Sequence, residues 1–314
     1  MIQESAVRAV FERSLKLKRT ESCLIVTDTV KESIGRAFYE FAKGITSKAK
    51  ILVMEPTKEH ASEPPAEIAK AMLEYDVELL ITSKSLTHTA ARRAATDKGA
   101  RVGTMPNIIE EIVNRSLDID YDVLKARSTY IYGLLKASDK VRVVTELGTD
   151  ITFEVGGSGF FGATGGVFDR PGDYGNLPEG EVSFAPSKAD GVFVVDASFS
   201  GLGLLDSPLK LKAKDCSVYE ITGKRAEEFK ERLDRVGPKA YVVAELGIGL
   251  NPKAIIMGNI LEDEKVIGTV HIAVGNNCSY GRTNNVPLHL DGVITKPTVY
   301  LDGKLLMEKG NFVL

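Results

Sequence analysis

Four short apolar runs divide the first third of the chain at nearly even intervals: Cys23-Leu24-Ile25-Val26, Ile51-Leu52-Val53-Met54, Leu79-Leu80-Ile81 and, more weakly, Ala100-Arg101-Val102. Intervals of roughly 25 residues leave room for a crossover helix between parallel neighbours, so the runs read as buried strands. The segments between them carry the helical period. Near Lys31–Lys43, Ile34, Phe38 and Phe41 share a face. Further helices are expected near Pro65–Tyr75, over Leu86–Lys98 with Gly99 as a left-handed stop, over Asn107–Arg115, and over Asp122–Lys136. Strand and helix in alternation imply a doubly wound parallel α/β domain.

The texture changes past residue 138. VRVVTEL, ITFEV, VFVVDAS, YVVAEL and VIGTVHIAV read as strands, with one helix near Arg225–Arg235. TVYL-Asp302-Gly303-KLL is a hairpin, because Asp-Gly accepts the positive φ angles of a type I′ turn. Two domains are therefore expected: 1–135, the N-terminal doubly wound α/β domain, and 136–314, a C-terminal β-rich metal-binding domain. A length of 314 residues suits two domains.

Composition narrows the partners. A net charge of −3 gives no electrostatic footprint for nucleic acid or an acidic membrane. The opening MIQESAVRAVFERSLKLKR has no continuous apolar core of a secretory signal, and no stretch has the length of a membrane span. Cys23, Cys216 and Cys278 are odd in number and widely spaced, which suits a reducing compartment. A cytoplasmic protein is expected.

Two conspicuous segments are better read as structural. Gly156–Gly166 is glycine-rich but lacks the Gly-Lys-Ser/Thr ending of a phosphate loop, so a flexible loop is expected. Glu262-Asp263-Glu264 with Lys265 reads as a solvated turn. Glu245 and His271 are harder to set aside, since each lies in an apolar strand-like run and a buried carboxylate needs a partner. Taken singly, each still suits a structural role: Glu245 at a solvated strand end, His271 as a hydrogen-bonded core histidine. His289-Leu290-Asp291 changes the balance. In an extended segment, side chains two apart point the same way, and imidazole with carboxylate is a ligand pair for zinc, manganese, cobalt or iron. Of four histidines, His60 and His88 read as a surface loop and a helix start.

The stretch NLPEGEVSFAP (Asn176–Pro186) resembles the N-L-P-x-G-E-V-x-x-A-P signature of the M29 metalloaminopeptidases, the aminopeptidase T and aminopeptidase S type. The likeness continues, in the family's order, through AELGIGLNP, ILEDEKVIGTVHIAVG, Tyr280 and HLDG, from Gly175 to Asp291. The resemblance implies a dinuclear site binding two divalent metal ions (zinc, cobalt or manganese). Glu181 would be the bridging carboxylate, Glu245 a second carboxylate ligand, and His271, His289 and Asp291 the rest of the shells. Tyr280 would contact substrate or the tetrahedral intermediate. Two ions roughly 3.5–4 Å apart would activate a shared water and polarise the scissile carbonyl. The expectation is thus a metal-dependent aminopeptidase, a hydrolase acting on a peptide substrate with a free N-terminus, and a homodimer by family likeness. This chain departs from the family in its compact first domain and the short stretch between His271 and His289. The same superfamily includes mononuclear Fe(II) ring-cleaving dioxygenases acting on 2,5-dihydroxypyridine, which is the alternative, together with a non-catalytic metal- or peptide-binding relative. Carboxylate number separates the two enzymes. A facial triad needs three protein ligands, whereas Glu181 and Glu245 together form a surplus that suits two metals.

Overall fold

The computed structural model describes residues 1–157 and 159–313, which gather into two compact units. One comprises Met1–Lys125 with Thr164–Glu179, the other Ala126–Ala163 with Gly180–Leu314. The chain thus leaves the first unit, returns to it, and leaves again.

The first unit is built on a five-stranded parallel sheet. Its strands lie in the order Ala49–Met54, Cys23–Asp28, Val77–Ile81, Arg101–Thr104 and Tyr174–Asn176. Cys23–Asp28 and Val77–Ile81 are buried along their whole length, as strands covered on both faces must be. Leu24, Val26, Leu80 and Val102 pack with Met54, Met72, Ala91 and Ala95 in one cluster. Crossover helices stand where the periodicity predicts them. Glu32–Ile45 buries Ile34, Phe38 and Ala42, one face of a 3.6-residue repeat. Ala90–Asp97 starts at Thr89, whose side chain accepts from the Arg92 N–H, and ends before Gly99 at φ +102°. The fifth strand, Tyr174–Asn176, is unannounced in sequence, since three residues cannot display a period and Gly175 has low strand propensity.

The second unit holds two antiparallel sheets. The eight-stranded sheet runs Ser217–Thr222, Leu209–Lys214, Lys188–Val195, Asp150–Glu154, Lys140–Val144, Thr298–Leu301, Lys304–Glu308 and Asn311–Phe312. Its turn at Asp302 (φ 47°) and Gly303 (φ 80°) is the hairpin read from the sequence. The seven-stranded sheet runs Gly203–Leu204, Ser198–Phe199, His289–Ile294, Val270–Gly275, Val243–Gly249, Glu181–Phe184 and Phe160–Phe161. The glycine-rich segment therefore is not simply a loop: Phe160 and Phe161 form an edge strand on Glu181–Phe184. Among the described residues no helix is long and apolar enough to cross a membrane. Cys23, Cys216 and Cys278 are free thiols.

Candidate metal centre

Four adjacent strands of the seven-stranded sheet deliver the site. Directly opposed residues of an antiparallel pair project to the same face, and so do residues two apart on one strand. Gly249 opposes Glu181, Gly247 opposes His271, Ala273 opposes both Glu245 and Asp291, and Gly275 opposes His289. One face thus carries Glu181, Glu245, His271, His289 and Asp291, each set against a glycine or alanine that leaves it room. Gly247 is the tightest of these partners. A Cβ there would stand 2.0 Å from His271 Nε2, so the imidazole lies directly over the neighbouring backbone.

The donor atoms converge. His271 Nε2 lies 3.3 Å from Glu245 Oε1 and 3.1 Å from Glu181 Oε2. His289 Nε2 lies 2.8 Å from Glu245 Oε2 and 3.3 Å from Asp291 Oδ1. Three trios each bring their donor atoms within 4.8 Å of one another: Glu181–Glu245–His271, Glu245–His289–Asp291 and Glu264–His271–Asp291. All five residues expected as ligands from the resemblance therefore meet in one place. Glu245 is buried rather than at a solvated strand end, and His271 is fully buried.

These residues fit a metal ion. His289 Nδ1–H donates to the Asn276 carbonyl at 2.7 Å, because a carbonyl can only accept. In the neutral ring this leaves the Nε2 lone pair facing the carboxylates, the arrangement of a metal-bound histidine with an outer carbonyl partner. Glu181 Oε2 is buried and accepts no well-aligned hydrogen bond among the described residues, although His271 Nε2 stands 3.1 Å away. Without a metal, protons hold the cluster together. Burial opposes charge on His271, but the Glu181 and Glu245 carboxylates raise its pKa well above the ordinary value. His289 is likewise opposed by burial and raised by Asp291 and Glu245. Burial would raise Glu245, yet the two histidines hold it well below the usual carboxylate range.

The acidic triplet is corrected by the structure. Glu262, Asp263 and Lys265 are fully buried and Glu264 nearly so, around a short helix at Ile260–Asp263. Asp263 accepts from the Met257 and Gly258 N–H groups at 2.8 Å each, which fixes the preceding loop. Lys265 Nζ lies 2.6 Å from Glu181 Oε1 and 2.6 Å from Glu264 Oε1. Burial, with Lys265 opposing and Glu181 and Asp291 assisting, pushes the Glu264 carboxyl up to about 8. A run of four charges looks solvated when only its own composition is weighed. Its burial depends on Glu181, far away in the chain.

Tyr280 reaches the same site from the short turn Cys278–Tyr280. Its hydroxyl shares a 2.8 Å hydrogen bond with Ser183 Oγ, and its ring meets Phe161 edge-on at 4.7 Å. Burial, then the charges of Glu245 and Glu181, raise its pKa well above the ordinary value, so it remains a phenol. Neither Ser183 nor Phe161 stands out in the sequence. The alternation in Glu245-Leu246-Gly247-Ile248-Gly249 is a usable signal for the polar face, since it spaces the carboxylate and two glycines by two.

Comparison with known proteins bears on the chemistry. The family model for 2,5-dihydroxypyridine 5,6-dioxygenase (NicX) matches residues 7–314. The 2,5-dihydroxypyridine 5,6-dioxygenase of Pseudomonas putida KT2440 is 23% identical over 355 aligned positions, spanning 99% of this chain and 97% of that protein. The solved structure of 2,5-dihydroxypyridine dioxygenase from Pseudomonas putida KT2440 shares the fold at a TM-score of 0.83 and 19% identity, covering 100% of this chain and 98% of its own. AmpT from Thermus thermophilus also shares it, at a TM-score of 0.71 and 16% identity over 99% of both chains. The fold expectation is borne out, as a parallel sheet with antiparallel sheets. The aminopeptidase expectation is overturned by the family match, and with it the classes hydrolase, exopeptidase, protease and metalloprotease; the indicated class is oxidoreductase. Of the two carboxylates that made the surplus, Glu181 is met by the buried Lys265.

Proposed function

Because the chain belongs to the 2,5-dihydroxypyridine 5,6-dioxygenase family, we propose that it opens a dihydroxylated, electron-rich nitrogen heteroaromatic ring with O2, using a single ferrous ion. The observation that carries this reading is that His289 and Asp291 share one donor trio with Glu245, whose other oxygen meets His271, so that imidazole and carboxylate, the donor types of non-haem iron(II) oxygenases, converge on one face of the sheet. Bound there, iron(II) supplies the redox chemistry that lets O2 react with a singlet aromatic ring.

The chain's own groups position, orient and shield. Asn276 holds the His289 ring by its Nδ1–H. Gly247 admits the His271 ring. Phe161 and Tyr280 form an aromatic wall beside Glu181–Phe184 against which a flat ring can pack. The Tyr280 hydroxyl, kept protonated, is a hydrogen-bond donor for a substrate hydroxyl or carbonyl oxygen. Glu264, raised to about 8, holds a proton at neutral pH beside Lys265. Apolar strands beneath the polar face exclude bulk water: Leu246, Ile248, Ile272 and Val274 are buried.

The test is anaerobic loading with ferrous ion followed by exposure to 2,5-dihydroxypyridine and air-saturated buffer. Stoichiometric O2 uptake with loss of the aromatic absorbance is expected. Hydrolysis of aminoacyl-p-nitroanilides with no O2 uptake would sink the proposal.

A further inference from the structure

We infer that the Lys265 ammonium occupies the electrostatic position of a second metal ion and thereby limits this centre to one. The inference rests on the single-metal reading above and gives it a structural cause. Its starting point is the geometry of the donors. Glu245 belongs to two trios, Glu245–His289–Asp291 and Glu181–Glu245–His271, so the sheet lays out two adjacent three-donor positions that share one carboxylate. That is the layout of a carboxylate-bridged pair of ions. Donors alone do not explain why one position should stay without metal.

Lys265 does explain it. The side chain is fully buried, and its Nζ lies 2.6 Å from both Glu181 Oε1 and Glu264 Oε1. Glu181 is a member of the second trio only, and Glu264 belongs to the third, with His271 and Asp291. The ammonium's two 2.6 Å contacts therefore both fall on trios that do not contain His289. A dication at Glu181–Glu245–His271 would share Glu181 with a buried cation and meet its repulsion in a low-dielectric site. A lysine is well suited to this position, because its ammonium is a compact point charge with three donors and buried cations persist only when paired. Its place is set by the backbone, since Asn251 N–H donates to the Lys265 carbonyl at 2.8 Å and ties the turn to the strand Val243–Gly249 through the next residues.

The experiment counts ions. Wild-type protein and Lys265→Met, both stripped by chelation, are equilibrated with Mn2+ and separately with Zn2+. Bound metal is measured by mass spectrometry after gel filtration, and the Mn2+ samples by electron paramagnetic resonance. Wild type is expected to hold one ion with the hyperfine pattern of isolated Mn2+. Lys265→Met is expected to hold two, with the broadened spectrum of a spin-coupled pair, and Lys265→Arg to return to one. If Lys265→Met does not fold, Lys265→Gln, which keeps a hydrogen-bonding group beside Glu181 and Glu264 but no charge, carries the same expectation of two. One ion in every folded variant overturns the inference, as do two in wild type. No ion in wild type at all overturns instead the metal reading on which it rests.

Discussion

At Gly247 the space for a side chain is already taken by His271. Its Cβ position lies 2.0 Å from Nε2 and 2.2 Å from Cε1 of that ring. Gly247→Ala must push the imidazole off its place while leaving the strand's backbone hydrogen bonds intact. Metal affinity is expected to fall roughly 10- to 100-fold, the usual cost of disturbing what orients a ligand, with an unchanged circular dichroism spectrum; titration with Mn2+ checks it. Glu78 poses a different residue-scale problem. It is fully buried in the first sheet, and neither carboxyl oxygen has a partner among the described residues. Burial raises its pKa well above the ordinary value. The folded chain then binds a proton that the unfolded chain has lost, so this group's contribution to stability falls as pH rises above the ordinary carboxylate range. Glu78→Gln is expected to flatten that dependence and to add about 1–3 kcal/mol at pH 8 relative to pH 5. Urea melts at the two pH values decide it; equal slopes for both proteins would show an ionised Glu78. Residues are also where the sequence is most and least legible. Glu181, Glu245, His271, His289 and Asp291 each stand out by chemistry or by motif, and all five meet. Lys265 does not, because its partner Glu181 arrives from a distant strand and nothing local reports it.

Among the elements, the shortest has the sharpest constraint. Phe160–Phe161 pairs with Phe184 and Ser183, and Gly162 follows at φ +92° with its Cβ position 1.8 Å from the Glu181 carbonyl. Gly162→Ala would force this edge strand away from the one that carries Glu181, taking Phe161 off Tyr280. The expected outcome is a KM for the ring substrate raised about tenfold or more with metal content unchanged, since one apolar wall is lost and no donor is; steady-state O2 uptake beside metal analysis distinguishes this from general unfolding. The long elements are legible because length displays period. Glu32–Ile45 and Val77–Ile81 announce themselves by spacing, and the Asp302-Gly303 hairpin by turn chemistry. Two- and three-residue strands such as Phe160–Phe161 and Tyr174–Asn176 have no period to read and form only because a partner strand is waiting.

For the whole molecule, the carboxylates of Glu181, Glu245, Glu264 and Asp291 face two imidazoles and one lysine, so an ion that binds the folded state alone should stabilise it markedly. A free ion at 100 times its dissociation constant adds about 2.7 kcal/mol. Chelation is therefore expected to lower the thermal midpoint by several degrees and re-addition of ferrous ion under nitrogen to restore it, as calorimetry can follow; an unchanged midpoint would mean that the cluster is held by protons and Lys265 alone. The fold is readable at this scale, the reaction only in part. Hydrolytic and oxidative centres draw on the same imidazoles and carboxylates, so donor types alone do not name the reaction. The charge around these donors includes a buried cation which composition assigns to solvent.

The order in which the parts leave the ribosome follows from the division of the chain. Arg101–Thr104 must wait for Tyr174–Asn176, and the hairpin strands Lys140–Val144 and Asp150–Glu154 of the other unit are synthesised in between. A nascent chain halted anywhere in that interval presents an unfilled parallel edge, a template for pairing with a second nascent chain. Because the two units are threaded through each other in sequence, no single crossover can transplant either one into another gene. Evolution can trim this protein or reline its face, but it cannot deal it out as cassettes.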